Sequence, residues 1–200
     1  METNNYKVKF NIKKSIPLKR LIYIVIFILA LPITSKAGDI NIKEIKEGDL
    51  IFQISKSSQS TAIQVATVSP WSHCGIIVEK KGVFYVLEAS NVVKLTPIQK
   101  WIDRGHMKIY AIKRVIEDDI KIHYKQYLGQ KYDLAFKFNN NKMYCSELIY
   151  VIYKKQFDIE IAKPKKIKDY NTFFFKKMMK RRKMDLEQYA IAPSDLYEAL

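Results

Sequence analysis

Two β-rich runs, residues 72–78 and 83–89, flank the four residues Glu79-Lys80-Lys81-Gly82. β-branched and aromatic residues on both sides of a charged, glycine-ended break signal an antiparallel hairpin. A turn centred on Lys80-Lys81 predicts pairs whose residue numbers sum to 161: Val78 with Val83, Ile76 with Tyr85, and His73 with Glu88. Directly opposite side chains share a face, with Cβ atoms about 5 Å apart. A carboxylate there can bond one imidazole nitrogen, fix the tautomer and stabilise the charged ring. The other ring nitrogen is then available to a thiol.

Taken singly, neither residue says much. A strand histidine is most often a packed or surface residue, and a strand carboxylate usually faces solvent. Glu88 stands apart because Tyr85-Val86-Leu87 precede it and Ala89 follows.

The remaining elements place the hairpin in a larger sheet. Residues 48–54 alternate as a strand, and 58–67 read as a short helix ended by Ser69-Pro70. Thr96-Pro97-Ile98-Gln99 offers a Thr N-cap, Pro at the first helical position and Gln at the third, with Gly105 as the closing glycine. Residues 107–115 predict a strand. Residues 117–128 predict a helix with Ile120, Tyr124, Tyr127 and Leu128 on one face. This order implies an antiparallel sheet with helices beside it, an α+β domain.

Cys145 follows a polar loop, Asn139-Asn140-Asn141, and opens a helical pattern backed by Leu148, Ile149, Val151 and Ile152. A thiol in the first turn of a helix feels the positive end of the helix dipole, which favours the thiolate. Cys74 is the other cysteine. As the neighbour of His73 on a strand it faces the opposite side, and is therefore expected to point away from a Cys145 served by His73. The competing reading is a Cys74–Cys145 disulfide in an exported, stapled domain.

Several segments resemble, in order, the YaeF/YiiX-type permuted papain-like amidases, relatives of the NlpC-type cell-wall hydrolases. They are Gly48-Asp49-Leu50-Ile51-Phe52, Gln59-Ser60 with Ala62-Ile63-Gln64, and Ser69-Pro70-Trp71-Ser72-His73-Cys74-Gly75-Ile76. Glu88-Ala89, Trp101-Ile102, Tyr132-Asp133, Tyr144-Cys145-Ser146-Glu147-Leu148 and Pro193-Ser194-Asp195-Leu196-Tyr197 continue the series. The resemblance implies a circularly permuted papain-like, NlpC-like fold, in which the histidine precedes the acid and the acid precedes the cysteine. It implies a cysteine amidase or peptidase with Cys145 as nucleophile, His73 as base and Glu88 as the orienting third member. Tyr132 is similar in position to a tyrosine that helps hold the oxyanion in NlpC-type enzymes. Position 74 is commonly apolar in such segments, so Cys74 is a departure.

Residues 1–37 read as a secretory signal, with a basic flank, the apolar run 21–33, and small residues at Ser35 and Ala37; the alternative is a retained N-terminal membrane anchor, for which a run of 13 is short. The expected mature chain, 38–200, is one hydrolase domain with 28 Lys and Arg against 19 Asp and Glu, a formal charge of +9. A basic exported protein meets anionic lipid or polymer surfaces. Residues 163–183 hold ten Lys and Arg interleaved with Phe173-Phe174-Phe175 and Met178-Met179. They read as a solvated helical face over core aromatics, or as a contact with an anionic membrane or polymer. No nucleic-acid motif accompanies the charge. No cofactor is implied, and the three histidines show no metal-ligand spacing. The expected substrate is a cell-wall peptide or a lipid-linked acyl group. The alternative is a non-catalytic binding module of the same fold on an anionic envelope surface.

Overall fold

The computed structural model describes residues 44–171, 179–180 and 182–200. The expected signal, 1–37, and residues 172–178 and 181 of the basic segment lie outside the described residues. Five strands form an antiparallel sheet: β1 (Leu50–Gln53), β2 (His73–Lys80), β3 (Val83–Ala89), β4 (Val93–Pro97) and β5 (Tyr110–Lys113), in the order β4-β3-β2-β1-β5. Helix α1 (Ser60–Thr67) links β1 to β2, and α2 (Ile98–Asp103) follows β4. Helix α3 (Cys145–Phe157) and the short α4 (Pro193–Glu198) come from the C-terminal part. The α+β architecture matches the one read from the sequence.

The sheet is buried on both faces. Ile51, Ile77 and Val86 join Ile98, Trp101 and Ile102 of α2 in one core cluster. Cys74, Ile76 and Val78 point the other way by strand alternation and are also fully buried. Helix α3 packs along β2 and β3 there. Its Leu148, Ile149 and Ile152 are buried, and Tyr153 donates its hydroxyl proton to the Gly48 carbonyl at the entrance to β1.

The hairpin is tighter than the sequence count. Val78 pairs with Tyr85, Ile76 with Leu87 and Lys80 with Val83, so paired numbers sum to 163 rather than 161. Lys81 and Gly82 alone form the turn, with φ of 54° and 75°. Positive φ at both residues is what a two-residue type I′ turn requires. A slip of one residue would have turned Glu88 to the other face; a slip of two keeps it on the face of His73. The pair is therefore diagonal across the ladder instead of directly opposite. Gly75, beside it, must be glycine: a Cβ there would come within 2.3 Å of Val86 Cγ1 and 2.8 Å of the Leu87 carbonyl oxygen.

Three further expectations are corrected. The helix over 117–128 does not form; only Lys125–Tyr127 make a 3₁₀ turn. The rest of the segment is irregular, and side chains take backbone groups that a helix would need. The Ile122 N–H donates to Glu47, and Gln156 bonds both the N–H and the carbonyl of His123. Second, Thr96 does not cap α2, because its hydroxyl donates to Glu88 instead. Third, the strand of residues 107–115 shortens to β5, after a 3₁₀ turn over His106–Lys108.

Candidate active site

His73 is the first residue of β2, and Glu88 lies near the end of β3. Their side chains meet: His73 Nε2 is 2.7 Å from Glu88 Oε2. Glu88 is fully buried and accepts from three further donors. Thr96 Oγ1 reaches Oε1 at 2.6 Å, Trp101 Nε1 reaches Oε2 at 3.1 Å, and the Arg104 guanidinium also bonds Oε2. The Trp101 indole stacks beside the His73 ring at 5.8 Å between centroids. The imidazole is thus held in its plane on one side and by its Nε2 on another. Nδ1 is the nitrogen left to serve a thiol.

Cys145 opens α3. Its two neighbours are pinned to one residue of the segment before α4. The Ile191 N–H donates to Tyr144 Oη at 3.1 Å, and Ser146 Oγ donates to the Ile191 carbonyl at 2.7 Å. The helix start is thereby fixed against the sheet. Its first N–H groups have no partner within the helix, which makes them available to an anion at Cys145.

Cys145 interacts with both His73 and Cys74. This overturns the expectation that Cys74 points away from a cysteine served by His73. Strand alternation does send Cys74 to the opposite face, but that is the face α3 covers. His73 begins β2 and Cys145 begins α3, and the Cys145 thiol interacts with His73 and with the next residue of β2, Cys74. Both cysteines are free and buried.

The charges follow from these contacts. The contact with Cys74 lowers the Cys145 pKa most; burial opposes it, and His73 lowers it further, leaving it well below the ordinary thiol value. Burial and the neighbouring Cys145 push Cys74 up, so it stays a neutral thiol. Burial would lower His73, yet Cys145 and Glu88 raise it to about 9. Burial would raise Glu88, yet His73 and Arg104 hold it down to about 2. The arrangement favours a thiolate, an imidazolium and a carboxylate in a row.

Tyr132 lies close enough for a charge on Cys145 to raise its pKa, after the larger effect of burial. Its hydroxyl accepts from Gln59 Nε2 at 3.0 Å, and Gln59 Oε1 in turn accepts from Arg182 at 3.1 Å. Because Gln59 fills an acceptor position, the Tyr132 hydroxyl proton is free to point elsewhere.

All four residues singled out from the sequence fall in one region. Arg104 was not foreseen, nor were the roles of Thr96 and Trp101. One signal could have found them: a carboxylate inside an apolar strand needs donors, and β4 with Thr96, then α2 with Trp101 and Arg104 just after it, are the next segments along the chain.

Residues 44–199 match the model of the permuted papain-like amidase enzyme family, YaeF/YiiX, C92 family. An Escherichia coli K12 protein described as the uncharacterized protein YiiX is 34% identical over 164 residues, covering 76% of this chain and 81% of its own. A crystal structure described as metalloprotein YiiX from E. coli O157:H7 superposes with a TM-score of 0.71 at 33% identity. It covers 76% of this chain and 92% of its own.

Proposed function

This chain belongs to the YaeF/YiiX family of permuted papain-like amidases, and we propose that it is a cysteine hydrolase working through an acyl-enzyme. The observation that carries the proposal is the 2.7 Å His73–Glu88 bond beside a thiol fixed at a helix start. The Cys145 sulfur attacks an acyl carbonyl, and the new S–C bond forms as the tetrahedral oxyanion develops. The N–H groups at the start of α3 and the Tyr132 hydroxyl hold that oxyanion. His73 gives its proton to the leaving amine or alkoxide as the scissile bond breaks. Water, deprotonated by the now neutral His73, then cleaves the thioester, releasing the acid and restoring the thiolate–imidazolium pair. Glu88 keeps the ring oriented and balances its charge throughout.

The E. coli relative is described as a metalloprotein. Among the described residues of this chain, no three His, Cys, Asp or Glu side chains gather as a metal site. The steps above use the chain's own side chains. The basic N-terminal flank, the apolar run and the Ser35-Lys36-Ala37 site support export, and the mature charge supports work at an anionic envelope surface.

Replacing Cys145 with Ala should abolish hydrolysis of acyl esters and amides by the purified mature domain. It should also abolish covalent labelling by a thiol-reactive acyl probe. Turnover and labelling equal to wild type would refute the proposal.

A further inference from the structure

Gln59 is the residue that opens α1, yet its side chain does not cap that helix. The amide instead bridges two residues far along the chain. Its Nε2 lies 3.0 Å from Tyr132 Oη, and its Oε1 lies 3.1 Å from Arg182 Nη1. The two ends of an amide have the same shape, so their partners decide which is which. Arg182 decides it here. A guanidinium has donors and no acceptor, so the Gln59 oxygen faces it. The amide nitrogen then faces Tyr132 and donates to the phenol oxygen. A phenol that accepts on one side has its own proton left to donate on another. Tyr132 keeps that proton, because burial and the charge on Cys145 hold its pKa well above the ordinary phenol value. The hydrogen bonds therefore run one way, from Arg182 through Gln59 to Tyr132.

We infer that Arg182 and Gln59 are positioning residues that keep the Tyr132 hydroxyl proton aimed at the oxyanion formed on Cys145. The inference rests on the cysteine-hydrolase reading and adds the two residues that set the direction of its side-chain oxyanion donor. A donor already aimed needs no reorganisation as the charge develops. Without Arg182 the amide is free to turn over. Its oxygen would then take the Tyr132 proton and withdraw it from the oxyanion. The Arg182 charge acts along the same path. It pulls the Tyr132 pKa down against the effect of burial, which makes the phenol a better donor. Arg182 belongs to the basic segment 163–183, read from the sequence as a solvated face or an anionic contact. One of the ten cations of that segment thus has a task beside the reacting cysteine.

The test is turnover of 4-nitrophenyl acetate by the purified protein and a set of variants. Gln59→Glu keeps the side-chain shape and the bond to Arg182 but offers Tyr132 an acceptor in place of a donor. It should lower kcat about a hundredfold, the effect of losing one oxyanion donor, with KM little changed. Tyr132→Phe should do the same, and the two changes combined should be no slower than Tyr132→Phe alone. Arg182→Met should lower kcat by a smaller factor, because the amide then takes either orientation. Arg182→Lys, which also only donates, should restore it. Iodoacetamide alkylation of Cys145, a reaction with no oxyanion, checks that each variant keeps a reactive thiol. A Gln59→Glu kcat equal to wild type would overturn the inference, as would a combined variant that loses the full factor twice. If Gln59→Glu fails to fold, equal kcat in Arg182→Met and Arg182→Lys overturns it instead. Wild-type protein that turns over no ester would sink the hydrolase reading and this inference with it, a result distinct from an active wild type whose Gln59 and Arg182 variants are unaffected.

Discussion

Among the described residues two glutamates are buried, and their carboxyl groups are shifted in opposite directions. Glu88 is fully inside, yet it is held at about 2 by the donors around it. Glu147, in the first turn of α3, is equally buried, and burial raises it to about 8. The Tyr144 N–H, at 3.4 Å, and the Asn139 N–H are the donors that help it, while the charge of Asp133 works against ionisation. The comparison teaches that burial alone predicts a neutral acid. A carboxylate that stays charged inside a protein has been supplied with donors, here His73, Arg104, Trp101 and Thr96. Glu88 is electrostatic equipment; Glu147 is a neutral hydrogen-bonding group at a helix start.

The largest effect that would break this contrast is expected from Glu88→Gln. Removing one partner of a buried charge cluster costs on the order of 3 kcal/mol. Loss of the group that orients the base should lower kcat by about a thousandfold or more. Chemical denaturation and ester turnover measure the two. A variant with wild-type stability and turnover would place Glu88 outside the machinery.

Arg104→Met keeps an aliphatic stem beside Trp101 and removes the cation from Glu88. The sign is fixed by the direction of the shift. Glu88 is depressed from 4.5 to about 2, so its stabilisation is present above pH 4.5 and is lost as pH falls toward 2. With Arg104 gone the depression is smaller, and the loss of stability across that acid window should shrink. An acid titration of unfolding free energy that superposes on wild type would show that Arg104 does not hold the carboxylate.

The smallest effect belongs to Glu147→Gln. Because its pKa is raised from 4.5 to about 8, native Glu147 binds more protons than the unfolded residue between those values, and stability falls as pH rises through that window. The amide cannot ionise and keeps an acceptor for Tyr144. Stability at pH 7 should therefore change by no more than about 1 kcal/mol or rise slightly, and the alkaline decline should flatten. A loss as large as that of Glu88→Gln would erase the contrast between the two acids.

The same physics explains what could be read from the sequence. The faces of the hairpin were legible because strand alternation has a period of two, so His73 and Glu88 share a face in either of the two registers. Turn length was not legible: Glu79-Lys80-Lys81-Gly82 fits a two-residue or a four-residue loop, and only positive φ at Lys81 and Gly82 selects the shorter. Cys145 at a helix start was legible from the polar loop and apolar periodicity around it. The irregular segment over 117–128 was not, since the groups that claim its backbone, Glu47 and Gln156, are remote in sequence. Alternation placed Cys74 on the correct face but could not say that α3 lies beneath it. Thr96 was misread because a threonine before Pro97 suits a helix cap as well as a buried carboxylate.

The central claim is that Cys145 and His73 form a thiolate–imidazolium pair. Iodoacetamide alkylation, followed by mass spectrometry of the peptide that contains Cys145, tests it without any substrate. The depressed thiol and a His73 raised to about 9 predict a rate that is nearly constant from pH 6 to 8. In His73→Ala the rate should drop at pH 6 and take on a steeper rise with pH. A wild-type rate that climbs about tenfold per pH unit up to pH 8.5, as an ordinary thiol does, would contradict the account.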